Sequence, residues 1–513
     1  AAAPEALDGL TRRELTYGRE TSAFEGTHEF VFKHHVLHQV TYDSVLKRDK
    51  REQHRQTADW LVVRSGDRAS EYFGLIADHY EKAGDSLNAV AYLRKAGEDA
   101  AKSYASDAAL DYLGRALALV APEDAETRFA LLLTRRSVLS NTGRRAEQAE
   151  DVAALEALAE RLDDVHRARA AGLRASNALI TGDYPGACAA AARAVACAEA
   201  AGDPGAALHA RFNWGRALQF QGDYAGAKSQ IEQSLALARE VGERRIESTT
   251  LAQLGNLSFQ RGDYGTARGH YREALDIARA IGDRNVESGL TNNLGEIEYV
   301  LGNYELAFKL LQTGRVICRE IGQRMADAYL LCNMAHITFL RGDAAAAIEL
   351  SNEARTAAQQ LKDPDLQASL LSTRGHAHAA LGQLDEAATC YRESVAIYHE
   401  IGRPTMPPEP ISGLARLALA RDSVVEAMHL IADVVAHFDA GGTVDGTEDP
   451  LWIYLTCHQV LAAGGAPRAG EFLQRGHELL MQRAEPLAAA ERETFLGNVP
   501  SHRAIVAAWA ARR

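Results

Sequence analysis

Three histidines fall within five positions, His34, His35 and His38, inside "FVFKHHVLHQVTYDSVL" at residues 30–46. On a helix His34 and His38 would share one face a turn apart, the spacing by which zinc enzymes present two imidazoles. Zinc then needs a third ligand, and a hydrolytic site needs an acid such as the glutamate of HExxH. Neither accompanies this pair, so the stretch reads as a packing helix and no metal is expected.

Other reaction chemistry fares no better. GxxxxGK[ST], GxSxG and HExxH are all absent, and no paired aspartates sit in a strand context. The acid pair Asp163-Asp164 falls at a helix end, where capping explains it. The chain is expected to be no enzyme and to need no cofactor. Its six cysteines, Cys188, Cys197, Cys318, Cys332, Cys390 and Cys457, form no CxxC pair and read as small core residues in a reducing, cytoplasmic setting.

A net charge of -13 disfavours nucleic acid and anionic membranes as partners. The basic run Lys47, Arg48, Lys50, Arg51 and Arg55 is interrupted by Asp49 and Glu52 and reads as a solvated face or a domain contact. No apolar run approaches the ~20 residues that span a bilayer. Abundant alanine with only 7% aromatics predicts an almost all-α protein. The opening "AAAPEALDGL" lacks a methionine and reads as the edge of a longer protein.

What must position any site is a repeat. "TGDYPGA" at 181, "QGDYAGA" at 221, "RGDYGTA" at 261, "LGNYELA" at 301, "RGDAAAA" at 341, "LGQLDEA" at 381 and "RDSVVEA" at 421 recur every forty residues. Each ends in alanine: Ala187, Ala227, Ala267, Ala307, Ala347, Ala387 and Ala427. A second series runs Gly202, Gly242, Gly282, Gly322, then Lys362 out of pattern, then Gly402 and Gly442. Two breakers per period predict two helices per unit, with the first glycine at a left-handed C′ position and the following Asp or Asn capping the next helix.

These features resemble tetratricopeptide repeats. In "LAQLGNLSFQRGDYGTARGHYREALDIA" the motif positions are held by Leu254, Gly255, Gly262, Tyr264, Ala267, Tyr271 and Ala274. The forty-residue length and the paired asparagines of "TNNLGEIEYVLGNYELA" resemble the longer variant of kinesin light chain and of bacterial regulators of the maltose-activator type. "SEYFGLIADHYEKAGDSLNAVAYLRKAGE" is an earlier unit, and "PLWIYLTCHQVLAAGGAPRAGEFLQRGHELL" a degenerate, capping one. The resemblance implies a right-handed superhelical array of helix pairs, each burying its apolar face on its neighbours.

The first seventy residues follow another grammar: a helix (Leu7 to Arg13), two strand-like pieces, "ELTYGR" and "HEFVF", then a helix from about Lys33. Together with "KRDKREQHRQTADWL" and the terminal "ERETFLGNVPSHRAIVAAW", this resembles the end of the ATPase module, and the tail, of bacterial STAND-type regulators that carry a cyclase-type domain. In that pattern the counterparts of His34 and His54 recur, while His35 and His38 vary. The resulting division is 1–68, a winged-helix remnant; 69–165, a first repeat-like unit and irregular helices; 166–440, the forty-residue array; and 441–513, capping helices.

The repeat architecture puts the first helix of each pair on the concave surface. That implies a groove of His209, Phe212, Asn213, Arg216, Gln219 and Phe220, followed by Thr249, Asn256, Phe259, Asn292, Asn293, Glu296, Tyr299, Tyr329, Asn333, His336, Phe339 and His376. Amides there can bond an extended peptide backbone and aromatics can pocket its side chains, although some of these rings would serve packing between units. The lysines that clamp an acidic C-terminus are missing. The expected partner is a protein or peptide, or a small-molecule effector, acting on an ATPase module in intramolecular contact with the array. The competing readings are a constitutive scaffold and a fragment of a larger nucleotide cyclase or ATPase.

Overall fold

The computed structural model describes residues 2–24, 26–401, 408–442, 447 and 449–512. The position of Gly402 in the second glycine series therefore lies outside the described residues. The chain forms two compact units, Ala1–Gln221 and Gly222–Arg513.

The first unit opens with α1 (Ala2–Arg12), β1 (Thr16–Gly18), β2 (Phe30–Phe32), α2 (His35–Ser44) and α3 (Lys47–Ser65). It continues through α4 (Ala69–Ala83), α5 (Ser86–Lys102), α6 (Ser106–Leu119), α7 (Ala125–Asn141), α8 (Arg145–Ala159), α9 (Asp164–Ile180), α10 (Tyr184–Ala201) and α11 (Pro204–Phe220). The two strands pair antiparallel with Tyr17 opposite Val31, the helix, hairpin and helix order that the sequence predicts. The expected single helix from about Lys33 is instead broken at Val45 and Leu46, both extended. Just before the break Ser44 turns its hydroxyl back to the Thr41 carbonyl at 2.7 Å, a local bond that competes with helix continuation.

The second unit runs α12 (Tyr224–Val241), α13 (Arg244–Gln260), α14 (Tyr264–Ala280), α15 (Arg284–Val300), α16 (Tyr304–Glu320), α17 (Arg324–Leu340), α18 (Ala344–Leu361), α19 (Pro364–Ala380) and α20 (Leu384–Glu400). It ends with α21 (Pro408–Ala420), α22 (Val424–Asp439), α23 (Pro450–Ala463), α24 (Ala469–Ala484), α25 (Ala489–Asn498) and α26 (Pro500–Ala511). This is an all-α tetratricopeptide solenoid, and its helix ends follow the sequence closely.

Gly262 and Gly302 take φ of 76° and 83° between the helices of their pairs, where a Cβ would be strained. Where the glycine is lost the backbone keeps the conformation: Lys362 has φ 54° and Asp422 φ 57°. Asp183, Asp223, Asp263 and Asp343 cap the next helix by accepting a backbone N–H at 2.9–3.1 Å. Asn303 breaks the pattern, donating instead to Glu298 Oε2 at 2.8 Å.

All seven register alanines are fully buried, which lets the helices of a pair approach closely. A Cβ on Gly255 would overlap the Tyr271 ring, so that glycine makes room for the aromatic of the second helix. Between pairs a ladder of ion pairs recurs with the same period. Buried Glu247 receives Arg239 at 3.0 Å and Arg244 at 2.5 Å, buried Glu287 receives Arg279 at 3.0 Å and Arg284 at 2.6 Å, and Asp327 receives Arg315 at 2.8 Å and Arg319 at 3.2 Å. Burial alone would raise the Glu287 carboxyl, but its two guanidiniums outweigh it and hold it below the ordinary carboxylate range.

Candidate functional site

The three histidines of the opening question do not converge. His34 is the exposed, extended residue before α2, and the rings of His35 and His38 lie 6.3 Å apart. A different histidine pair meets instead. His54 on α3 and His79 on α4 share a hydrogen bond between their Nδ1 atoms at 2.9 Å, with the Tyr42 hydroxyl on His54 Nε2 at 2.8 Å. Among the described residues no group of three or more His, Cys, Asp or Glu side chains is arranged to hold a metal.

Within the second unit the first helices of successive pairs approach one another, α13 with α15, α17 with α19 and α19 with α21, and so line the inner side of the curve. The forty-residue period stacks equivalent positions into rows across these helices. One row is Asn256, Glu296, His336, His376 and Arg416. Beside it run Asn293 with Asn333, and Phe259 with Tyr299 and Phe339.

The early part of this face is a chain of amides. Tyr271 Oη donates to Asn256 Oδ1 at 2.6 Å, Asn293 Nδ2 reaches the same oxygen at 3.4 Å, and Asn333 Nδ2 donates to Asn292 Oδ1 at 3.2 Å. Asn256, Phe259, Asn292, Asn293, Tyr299 and Asn333 are half-buried and Glu296 is exposed. The amides thus have both a partner in the fold and capacity open to solvent.

The later part is a sealed aromatic block. His336 is buried between Tyr299 Oη at 3.3 Å and Thr373 Oγ1 at 3.4 Å. His376 is buried as well, with Tyr391 Oη on its Nδ1 at 2.6 Å and Glu409 Oε1 at 3.4 Å from its Nε2. Burial pushes the Tyr391 phenol up to about 12. Trp452 of α23 stacks on His376 at 5.6 Å and on Phe339 at 6.5 Å, and Arg416 covers the indole at 4.7 Å. Trp452 and Arg416 were not among the sequence-derived groove residues. The register carried a signal for both, since position 416 continues the row of Asn256 and Glu296, and position 452 that of Asn292.

Tyr329 stands apart near the start of α17, exposed, its hydroxyl on Asp363 Oδ2 at 2.8 Å. Residues 209–220 belong to the first unit. On α11 His209 is exposed, Phe212, Asn213, Arg216 and Gln219 are half-buried, the Arg216 guanidinium lies 6.0 Å from the Phe212 ring, and Phe220 stacks on Tyr184 at 4.8 Å.

The last helices of the second unit return to its early turns. Arg268 bridges buried Glu298 at 3.5 Å and Glu491 of α25, Asn498 Nδ2 donates to the Gly302 carbonyl at 3.4 Å, and Phe495 packs on Tyr264 at 6.3 Å. This closure was not expected from the sequence. A cavity of about 820 Å³ opens beside it, bordered by Arg268, Arg272, Asn303, Tyr304, Arg341 and Asn498 among others.

Comparison with known proteins agrees with this architecture. The tetratricopeptide-repeat family model matches residues 203–280, 287–360 and 324–400. No curated protein sequence matches the chain. Among solved structures, the apo form of the quorum sensor NprR from B. thuringiensis is similar at TM-score 0.51 and 14% identity, over 70% of this chain and 99% of that one. A STAND protein with a tetratricopeptide-repeat sensor from Pyrococcus horikoshii gives TM-score 0.45 and 14% identity, over 79% of this chain and 58% of that one. A Rap protein complexed with competence and sporulation factor gives TM-score 0.46 and 14% identity, over 78% and 99%.

Proposed function

We propose that this chain is a non-enzymatic recognition module. It binds an extended peptide or protein segment along the inner face of the repeat array, and by doing so regulates an attached ATPase or signalling domain. The observation that carries the reading is the run of open amides, Asn256, Asn292, Asn293 and Asn333, spaced along successive helices and bordered by Phe259 and Tyr299. Side-chain amides present a donor and an acceptor together, which matches a peptide unit whatever its sequence. The name of the similar NprR structure, a quorum sensor, supports a sensing role for such an array.

On the first unit, His209, Phe212, Asn213, Arg216, Gln219 and Phe220 form a second proposed contact surface; on the second unit buried His336 and half-buried Phe339 end the open run, and exposed Tyr329 lies apart from it. For regulation, the segment must bind one arrangement of the array more tightly than another. The resemblance of residues 30–61 to the end of a STAND module supplies the element to be regulated.

Photo-crosslinking tests the surface. Peptides selected from a random displayed library on the full chain should crosslink to a benzophenone side chain placed at Phe259 or Tyr299 and not at exposed Lys309. Crosslinking at Lys309 alone would contradict the reading. A P-loop encoded upstream of Ala1 would favour regulation, and its absence would favour a constitutive scaffold.

A further inference from the structure

Among the described residues, Glu296 on the inner face of the second unit is a carboxylate that the fold does not use. On the same helix, α15, Glu287 is buried and held by Arg279 and Arg284, and Glu298 is buried and held by Arg268 and Asn303. Glu296 is exposed and makes no hydrogen bond or ion pair among the described residues. Desolvation by the surrounding protein pushes its carboxyl up although part of its surface reaches solvent. Its charge is felt by Tyr271 and Tyr264, whose phenols are raised first by their own burial and then by Glu296.

The groups around Glu296 are polar or aromatic but not cationic. Asn292, Asn293 and Tyr299 lie within one turn of it on α15, and Asn256 and His336 flank it in the row. Both His336 ring nitrogens are engaged, by Tyr299 and Thr373. Arg483 of α24 acts on the Tyr264 phenol and forms no ion pair with Glu296. An unpaired carboxylate that is partly desolvated gains more from a cation than one in bulk water does.

We infer that Glu296 is the specificity-determining residue of the inner face: it selects a partner segment bearing a lysine or arginine side chain, while the flanking asparagines hold the partner's backbone. This rests on the proposed peptide-binding reading and names the partner's chemistry.

The test uses peptides selected from a random displayed library on the full chain, each resynthesised with its basic residues changed to glutamine. The expected result is enrichment of Lys and Arg, and a loss of affinity of roughly tenfold or more when the basic residue is neutralised. Glu296→Gln should cost as much, and the two changes together no more than either alone. An unchanged thermal unfolding curve for Glu296→Gln keeps that comparison clean. Peptides that lose binding to Asn256→Ala but ignore Glu296→Gln would overturn the inference and leave the peptide-binding reading standing. A selection whose products ignore both substitutions, or yields none, would overturn both.

Discussion

One register of the repeat builds two unlike surfaces. At Asn256 and Glu296 the row reaches the surface, with amide oxygens shared between helices. Eighty and more residues on, at His336 and His376, it is buried under Phe339, Trp452 and Arg416. The backbone geometry is the same in both, so the difference lies in what the other helices bring. Asn256 meets Tyr271 and Asn293 and stays half-buried, whereas α23 lays an indole across the later rows. A repeat thus fixes where side chains point, and the partner elements decide whether that position stays at the surface or is sealed into the fold.

The largest effect should come from breaking the sealed half. Trp452→Ala removes the ring that joins His376, Phe339 and Arg416, and should cost about 2–4 kcal/mol in urea unfolding. A value near zero would mean that the aromatic block is not structural. Next is the ladder between pairs. Glu287→Ala strands the Arg279 guanidinium and leaves Arg284 with Glu320 alone; both are half-exposed and therefore partly screened, so about 1–2 kcal/mol is expected from the same measurement.

The closure of α25 and α26 should respond to pH. His502 is buried, donates Nδ1–H to the Phe495 carbonyl at 2.7 Å, and has a pKa lowered from 6.5, mainly by burial. Asp449 and that carbonyl oppose the shift, and Arg483 adds to it. A depressed imidazole pKa means that the unfolded chain binds the proton first, so its contribution is complete above 6.5 and is lost as pH falls towards the folded value. Hydrogen-exchange protection in α25 and α26, taken relative to the intrinsic exchange rate at each pH, should therefore fall between pH 7 and pH 5, and His502→Gln should flatten that dependence.

The smallest stability effect belongs to the open half. Asn256→Ala should cost about 1 kcal/mol in urea unfolding: water can replace its long bond to Asn293, while the Tyr271 hydroxyl loses its acceptor. A larger loss would move Asn256 from the recognition surface to the framework.

The array itself was legible in the sequence because each constraint is local. A left-handed turn, a capping aspartate and an alanine at a close helix crossing recur at fixed spacing, and Lys362 and Asp422 show the turn surviving loss of its glycine. The rows of inner residues follow from the same period. The closure was not legible. Arg268 with Glu491 and Gly302 with Asn498 join residues about two hundred positions apart, and such contacts leave no periodic trace. Nor could the sequence tell that His336 is sealed while Asn293 is open, since that depends on Trp452 arriving from a degenerate pair. The histidine pair that does meet, His54 with His79, was hidden for the same reason, being set by the packing of α3 on α4.

The central claim is that the amides of the open half hold a partner's backbone. The most direct test is the affinity of library-selected peptides, by calorimetry, for the Asn256→Ala/Asn293→Ala double variant against the unchanged chain. The account predicts a loss of roughly tenfold or more with little change in unfolding midpoint. Unaltered affinity in a folded double variant would contradict it.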